Sequence, residues 1–136
     1  MMADGRVVRE RRAMLAGMAP VLGDGVFVFC TTVDAGVAAA HAVARIEEAE
    51  GTTLVLDVAA ARRLEFDVSM PMRRITLGVF SALDGVGLTA AVAGALAAAD
   101  IPCNIIAGFH HDHLFVPAAM AEAALAVLRD LQAGAA

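Results

Sequence analysis

Residues 73–117 constrain the fold more than any other stretch of this chain. They read as a strand, a tight glycine turn, an apolar helix, a strand, a hairpin and a further strand. Ile75, Leu77 and Val79 alternate with Thr76, Gly78 and Phe80, the period of a strand with one buried face. The turn that follows, Leu83-Asp84-Gly85-Val86-Gly87-Leu88, puts two glycines and one carboxylate where the strand ends and the helix begins. The first amides of a helix lack intrahelical partners and carry partial positive charge, so such a junction suits a small anion. The stretch points to a small-molecule binding module.

The helix expected over 86–99 carries no charged face. A helix apolar all round is expected to be buried on more than one side. Ala90, Gly94 and Ala98 form a ridge of small residues at spacing four, which predicts close packing against another helix, from the first half or from a second chain. Asp100 and Pro102 end the helix. Residues 103–109 and 114–117 read as strands around the turn His110-His111-Asp112-His113. Residues 118–131 read as a last helix, with Met120, Leu125, Leu128 and Leu131 inward and Glu122, Arg129 and Asp130 outward.

The first half is less regular. Residues 6–17 suit a short helix with Val7, Met14 and Met18 on one side, and Arg6, Arg9, Arg11 and Arg12 read as a solvated face. Gly17, Pro20, Gly23 and Gly25 break the pattern. Residues 26–33 are β-branched and aromatic, a strand signal. Asp34 and Gly36 turn the chain. Residues 41–47 suit a half-buried strand with Ala42, Ala44 and Ile46 on one face, and 53–56 form another. Asp57 is a natural N-cap for a helix over 58–64. Residues 66–72 read as a connection, which places a boundary near residue 70 and divides the chain into halves 1–70 and 71–136. The second half reads β-α-β-β-α and the first α-β-β-β-α, a weaker copy. The expected class is α+β, since a βαββαβ order gives an antiparallel sheet with helices on one face, the ferredoxin-like pattern.

Composition removes several classes of function. The 136 residues include no Lys, which excludes Schiff-base chemistry and a phosphate-loop lysine. There is no Trp or Tyr for stacking on bases, and the net charge of −5 argues against nucleic-acid binding. The apolar run 85–99 falls short of the ~20 residues that a membrane span needs. The arginine-rich N-terminus lacks the apolar segment of a signal peptide, so a cytoplasmic location is expected. Cys30 and Cys103 sit in apolar strands and read as buried thiols.

Individual residues carry open readings. Asp84 suits an N-cap of the helix, or a partner for the ammonium of an amino acid. Gly85 and Gly87 satisfy backbone angles other residues avoid, or let a carboxylate approach the amides of Gly87 and Leu88. Asn104, the only Asn, lies early on a strand that in a paired sheet reaches the first turn; it offers both donor and acceptor, or caps a strand end. On a strand His111 and His113 share a face, but two histidines are an incomplete metal site, and nothing in the spacing shows that His41 or Asp112 completes it. With Ser69 and Ser81 the only serines, no Ser-His-Asp constellation is visible. No cofactor, metal or catalytic residue is expected.

The run Ser81-Ala82-Leu83-Asp84-Gly85-Val86-Gly87-Leu88 followed by an Ala-rich helix resembles an ACT domain, where a strand ends in Asp-x-x-Gly-Leu and a helix follows at once. Residues 18–22, 26–30 and 51–56 resemble the first half of small bacterial proteins built from two tandem ACT-like halves. Residues 73–77, 87–93 and 111–117 resemble their second half. The resemblance implies a non-catalytic regulatory module that binds an amino acid or similar metabolite between paired ACT units, as a homodimer. The ligand-binding residues it implies are Asp84, Gly85, Val86, Gly87 and Leu88, with Asn104 from a neighbouring strand. Many ligand-binding ACT domains carry Pro at the position of Val86, where Val leaves the turn less rigid. The first half has no clear Asp-x-x-Gly-Leu turn, so two equivalent sites per chain are not expected. Two further readings remain: a structural or interaction module without ligand, and a metal-binding protein or metal-dependent enzyme built on the histidine hairpin.

Overall fold

In the computed structural model, which describes residues 7–135, the first strand β1 spans Pro20–Thr32. It therefore includes Gly23 and Gly25, where the sequence suggested a break. A neighbouring strand decides this: the Arg73 guanidinium donates to the Gly23 carbonyl at 2.7 Å, and a Cβ added at Gly23 would meet the Arg74 carbonyl at 3.6 Å. The weak strand propensity of glycine yields to a partner already in place.

The other elements follow in the order α1 (Arg11–Ala16), β1, a 3-10 helix (Gly36–His41), β2 (Ala42–Glu48), β3 (Gly51–Asp57), α2 (Val58–Arg63), β4 (Met72–Leu77), α3 (Leu88–Ala98), β5 (Asn104–Ala107), β6 (Asp112–Pro117), a 3-10 turn (Ala118–Met120) and α4 (Ala121–Ala135). Arg6, which the sequence placed in the first helix, lies outside the described residues. The chain divides into two units. One contains the described residues up to Asp24 and those from Arg73 onward; the other is Gly25–Met72. β1 contributes to both.

In the Gly25–Met72 unit the strand order is β2-β3-β1, with both pairs antiparallel. Phe27 stands opposite Asp57 and Thr32 opposite Thr52. β2 pairs with β3 from Ala42–Leu56 to Glu48–Gly51, with an irregularity between Ala42 and Ala44. Ala42 and Ala44 are half-buried as their period suggests, but Ile46 is exposed, because β2 is the outer strand. Gly51 has φ +154° and lies against the Thr32 carbonyl, where a Cβ would come within 2.9 Å. Val28, Cys30, Ala38, Leu54, Leu56 and Ala61 form the core. α2 follows β3 without a loop: the Asp57 carboxylate accepts from the Ala59 and Ala60 amides at 2.8 and 3.4 Å, the expected cap.

In the other unit the order is β1-β4-β6-β5. β5 and β6 form an antiparallel hairpin, with Asn104 opposite Phe115 and Ala107 opposite Asp112. Ile75, Leu77, Leu114 and Val116 present one face of the strands to α1, α3 and α4. Met14, Leu15, Leu88, Val92, Leu96 and Leu128 close the core from the helices. α1 is capped by Glu10, whose carboxylate accepts from the amides of Arg12 and Ala13 at 3.0 and 2.7 Å.

The apolar helix corrects an expectation. α3 buries only one face, Leu88, Val92 and Leu96, at spacing four. Ala90, Gly94 and Ala98 are exposed, and nothing lies within 4 Å of a Cβ built on Gly94. The ridge packs against no other helix among the described residues. Alanine and glycine expose little apolar surface, so a face made of them can meet water at small cost. Met120, expected inward, sits in the 3-10 turn before α4 with 38% exposure.

Candidate functional site

β4 ends at Leu77, and ten residues separate it from α3. The chain between them is held by the segment before α1. The Val8 amide donates to the Phe80 carbonyl at 2.7 Å and the Ala82 amide to the Val8 carbonyl at 2.8 Å, which makes a short parallel bridge between Val8 and Ser81. A turn follows, closed by the Gly85 amide on the Ala82 carbonyl at 3.0 Å.

Gly87, not Asp84, is the N-cap of α3. Its φ is +106° and no side chain caps the helix. A left-handed angle of this size favours glycine, which explains why the residue before Leu88 is one. Asp84 instead points to Arg9, whose Nε donates to its carboxylate at 3.0 Å. That hydrogen bond, with the charge of Arg9 behind it, lowers the Asp84 carboxyl below its ordinary value. The capping reading of Asp84 fails because Gly87, three residues later, holds the N-cap position and Arg9, 75 positions away in the chain, holds the carboxylate.

Both glycines of the turn are covered by α1. A Cβ on Gly87 would lie 2.5 Å from Cδ of Arg11, and one on Gly85 would lie 3.0 Å from Sδ of Met14. Val86 is exposed, whereas Leu88 is buried and offers only its backbone. Of the arginines read from the sequence as a solvated face, Arg9 and Arg11 therefore belong to the surroundings of the turn, while Arg12 donates to the Ala135 carbonyl. Only Val8 gave a local hint, as an apolar residue within a charged run.

Two cavities flank residues 81–84. The smaller, about 80 Å³, is lined by Met14, Ser81, Gly85, Thr89, Ala107 and Asp112, among others. Burial pushes the Asp112 carboxyl up, against the lowering effect of the Ser81 hydroxyl 3.5 Å away and of the charges of His113 and His111. The larger, about 290 Å³, is lined by Val7, Arg9, Phe80, Leu83, Asp84 and Phe109, with the backbone between them. Asn104 lines neither. It lies at the start of β5, three residues and roughly 10 Å of strand from Ala107, the end that reaches the smaller cavity.

The histidines of the hairpin have separate partners. The His110 ring lies 5.2 Å from both Phe80 and Phe109. His111 Nδ1 is 3.3 Å from the Val79 carbonyl, and His113 Nδ1 is 3.0 Å from the Thr76 hydroxyl. His113 lies below the usual histidine range, first because burial disfavours its charge. Among the described residues no group of three or more His, Cys, Asp or Glu comes together to hold a metal ion. Cys30 is buried and Cys103 half-buried; both are free thiols, and burial pushes Cys103 up to about 11. No described helix is long and apolar enough to cross a membrane.

Comparison with known proteins agrees with the strand–turn–helix geometry. Two ACT-domain family models match in tandem, one over residues 8–73 and the other over 71–130. The chain belongs to the ACT-domain family. A Vibrio cholerae protein of unknown function has 39% identity to it and a TM-score of 0.80, with 89% of this chain and 94% of that one covered. An Agrobacterium tumefaciens protein shares the fold at 16% identity and a TM-score of 0.66, covering 83% and 87% of the two chains. The ligand-free regulatory subunit of aspartate kinase from Thermus thermophilus shares it at 14% identity and a TM-score of 0.58, covering 83% and 97%. No curated protein matches. The fold is thus a tandem of ferredoxin-like ACT domains, and ACT domains as a class are regulatory modules that bind small molecules.

Proposed function

We propose that this ACT protein is a non-catalytic regulatory module that binds a small amino-acid-like metabolite at the turn 84–88 of its C-terminal half, 71–136. The observation that carries the reading is the uncapped start of α3: Gly87 supplies no side chain to the helix amides, and cavities open on both sides of the segment leading to it. A ligand carboxylate is directed to the backbone of Gly87 and Leu88, and its ammonium to Asp84. Gly85 and Val86 shape the approach. Arg11, which now lies over Gly87, must swing aside, a rotamer change open to a long side chain. Asn104 takes part only across a homodimer, from the outer strand β5 of a second copy. The proposed setting is the cytoplasm, with neither nucleic acid nor a membrane as partner.

A thermal-shift screen of the proteinogenic amino acids tests the reading. A ligand at one hundred times its dissociation constant stabilises by about 2.7 kcal/mol. Asp84→Asn weakens an amino-acid ligand and spares a plain carboxylate, because the lost charge faces the ammonium. A complete screen without any shift removes the sensor. The second reading, an interaction module without ligand, then takes its place; the uncovered apolar face of α3 at Ala90, Gly94 and Ala98 favours it.

A further inference from the structure

The larger cavity combines features that nothing in the backbone of the turn requires. Phe109 is 69% exposed, Leu83 68% and Val7 51%, and all three line it beside Phe80. The rings of Phe80 and Phe109 are 6.2 Å apart and tilted by 56°, so together they make an apolar wall. Large apolar side chains left open around one cavity differ from singly scattered ones; clustered in this way they mark a binding surface. At the rim of the same cavity stand one cation and one anion, Arg9 and Asp84, 3.0 Å apart. Their contact uses only Nε of Arg9. A guanidinium carries five N–H donors in a fixed fork, so its terminal nitrogens can address a second carboxylate while Nε keeps Asp84 in place. Asp84 is well exposed and can accept from an ammonium at the same time.

A cavity with an apolar wall and adjacent charges of both signs at its mouth matches one chemical class. The ligand carries an ammonium and a carboxylate on neighbouring atoms, with an apolar side chain between them and the wall. We infer that the cavity lined by Val7, Arg9, Phe80, Leu83, Asp84 and Phe109 selects α-amino acids with apolar or aromatic side chains, Arg9 sharing the carboxylate with the backbone of Gly87 and Leu88 and Phe109 meeting the side chain. This rests on the proposal that the turn binds an amino acid, and it names the side-chain class and two residues outside the turn. Its volume of about 290 Å³ lies at the lower edge of ordinary ligand pockets, which suits a single amino acid rather than a larger metabolite. The exposure of Phe109, Leu83 and Val7 is explained in the same way, since a bound apolar side chain covers them.

Calorimetric titration of the full chain with L-phenylalanine, L-leucine, L-lysine, L-aspartate, phenethylamine and 3-phenylpropionate tests the inference. The first two are expected to bind, and lysine and aspartate to bind at least about tenfold more weakly. Phe109→Ala and Arg9→Gln each weaken phenylalanine by about tenfold or more, and both residues are exposed, so the variants keep the fold. Arg9→Gln weakens 3-phenylpropionate by a larger factor than phenethylamine, which has no carboxylate and feels the change only through Asp84. Binding of lysine or aspartate in preference, with affinity indifferent to Phe109→Ala, overturns the selectivity and leaves the regulatory reading intact. Absence of binding by any amino acid, in this set or in the full screen, removes both.

Discussion

Two strand-to-helix junctions among the described residues, β3 to α2 and β4 to α3, are finished differently. β3 runs directly into α2, and the Asp57 carboxylate closes the helix start on the amides of Ala59 and Ala60. β4 reaches α3 only after a loop, and the helix starts at a left-handed glycine with no side-chain cap. At their far ends the helices agree. Each terminates in a non-glycine residue at positive φ, Glu65 at +66° and Asp100 at +61°, followed by a bond back across the last turn: Phe66 to the Ala61 carbonyl and Ile101 to the Leu96 carbonyl. The endings agree although the helices hold different places in the order, α2 after the third strand of its half and α3 after the first. The different beginnings separate a helix whose orphan donors are satisfied by its own chain from one whose donors are available to something else. A side chain placed as cap excludes an anion from the same amides, so the start of α2 is closed to one.

The units also differ in how they are held. The core of the unit with α3 joins three helices to the strands, whereas a cluster in the Gly25–Met72 unit, Val28, Cys30, Ala38, Leu54, Leu56 and Ala61, joins the strands to α2 and the 3-10 helix.

The largest effect that tests this comparison is expected from Gly87→Val. A β-branched residue at φ +106° is strained, and its Cβ meets the Arg11 side chain, so a loss of at least about 1–3 kcal/mol is expected together with loss of any ligand response. Chemical denaturation measures the first and thermal shift the second. A variant as stable as the parent shows that the angle is not required, and the contrast between the junctions disappears.

Asp57→Ala comes next. It removes the cap from α2 and is expected to cost about 1 kcal/mol, with ligand response unchanged. If it abolishes the response, the closed junction takes part in binding and the two helix starts are not opposites.

Gly94→Ala acts in the other direction. Gly94 lies within α3, exposed and with open space where a Cβ would stand, so alanine is expected to stabilise by about 0.5–1 kcal/mol. Gly94→Leu sharpens the result: unchanged stability with a smaller assembly in size-exclusion chromatography assigns the small-residue ridge to a second chain.

The smallest effect concerns Asp112. Burial raises its carboxyl above the ordinary 3.8, so the folded state favours the protonated form. Its contribution is most favourable below that value and is lost as pH rises through the raised one. Asp112→Asn is expected to raise the melting temperature at pH 7, with the gain shrinking as pH falls through the raised value and gone below 3.8. The half-exposed position and its screening keep the effect small. An unchanged difference across that range assigns the effect to shape rather than charge.

What the sequence determined by itself was mostly local. Strand alternation at Ile75, Leu77 and Val79, the Asp57 cap and the glycine before Leu88 depend on neighbours a few residues away, and the tandem ferredoxin-like order followed from them. The tertiary structure decided what depended on distant partners. Asp84 turns from the helix because Arg9 stands opposite, and Gly23 joins β1 because β4 runs beside it. Arg11 and Met14 cover the two glycines from a helix some seventy residues earlier in the chain. The small-residue face of α3 carried no local sign of its exposure, because alanine and glycine fit a close helix contact and open water almost equally well. A hydrophobic period records which face is apolar, but only the folded chain supplies the surface that covers it or leaves it bare.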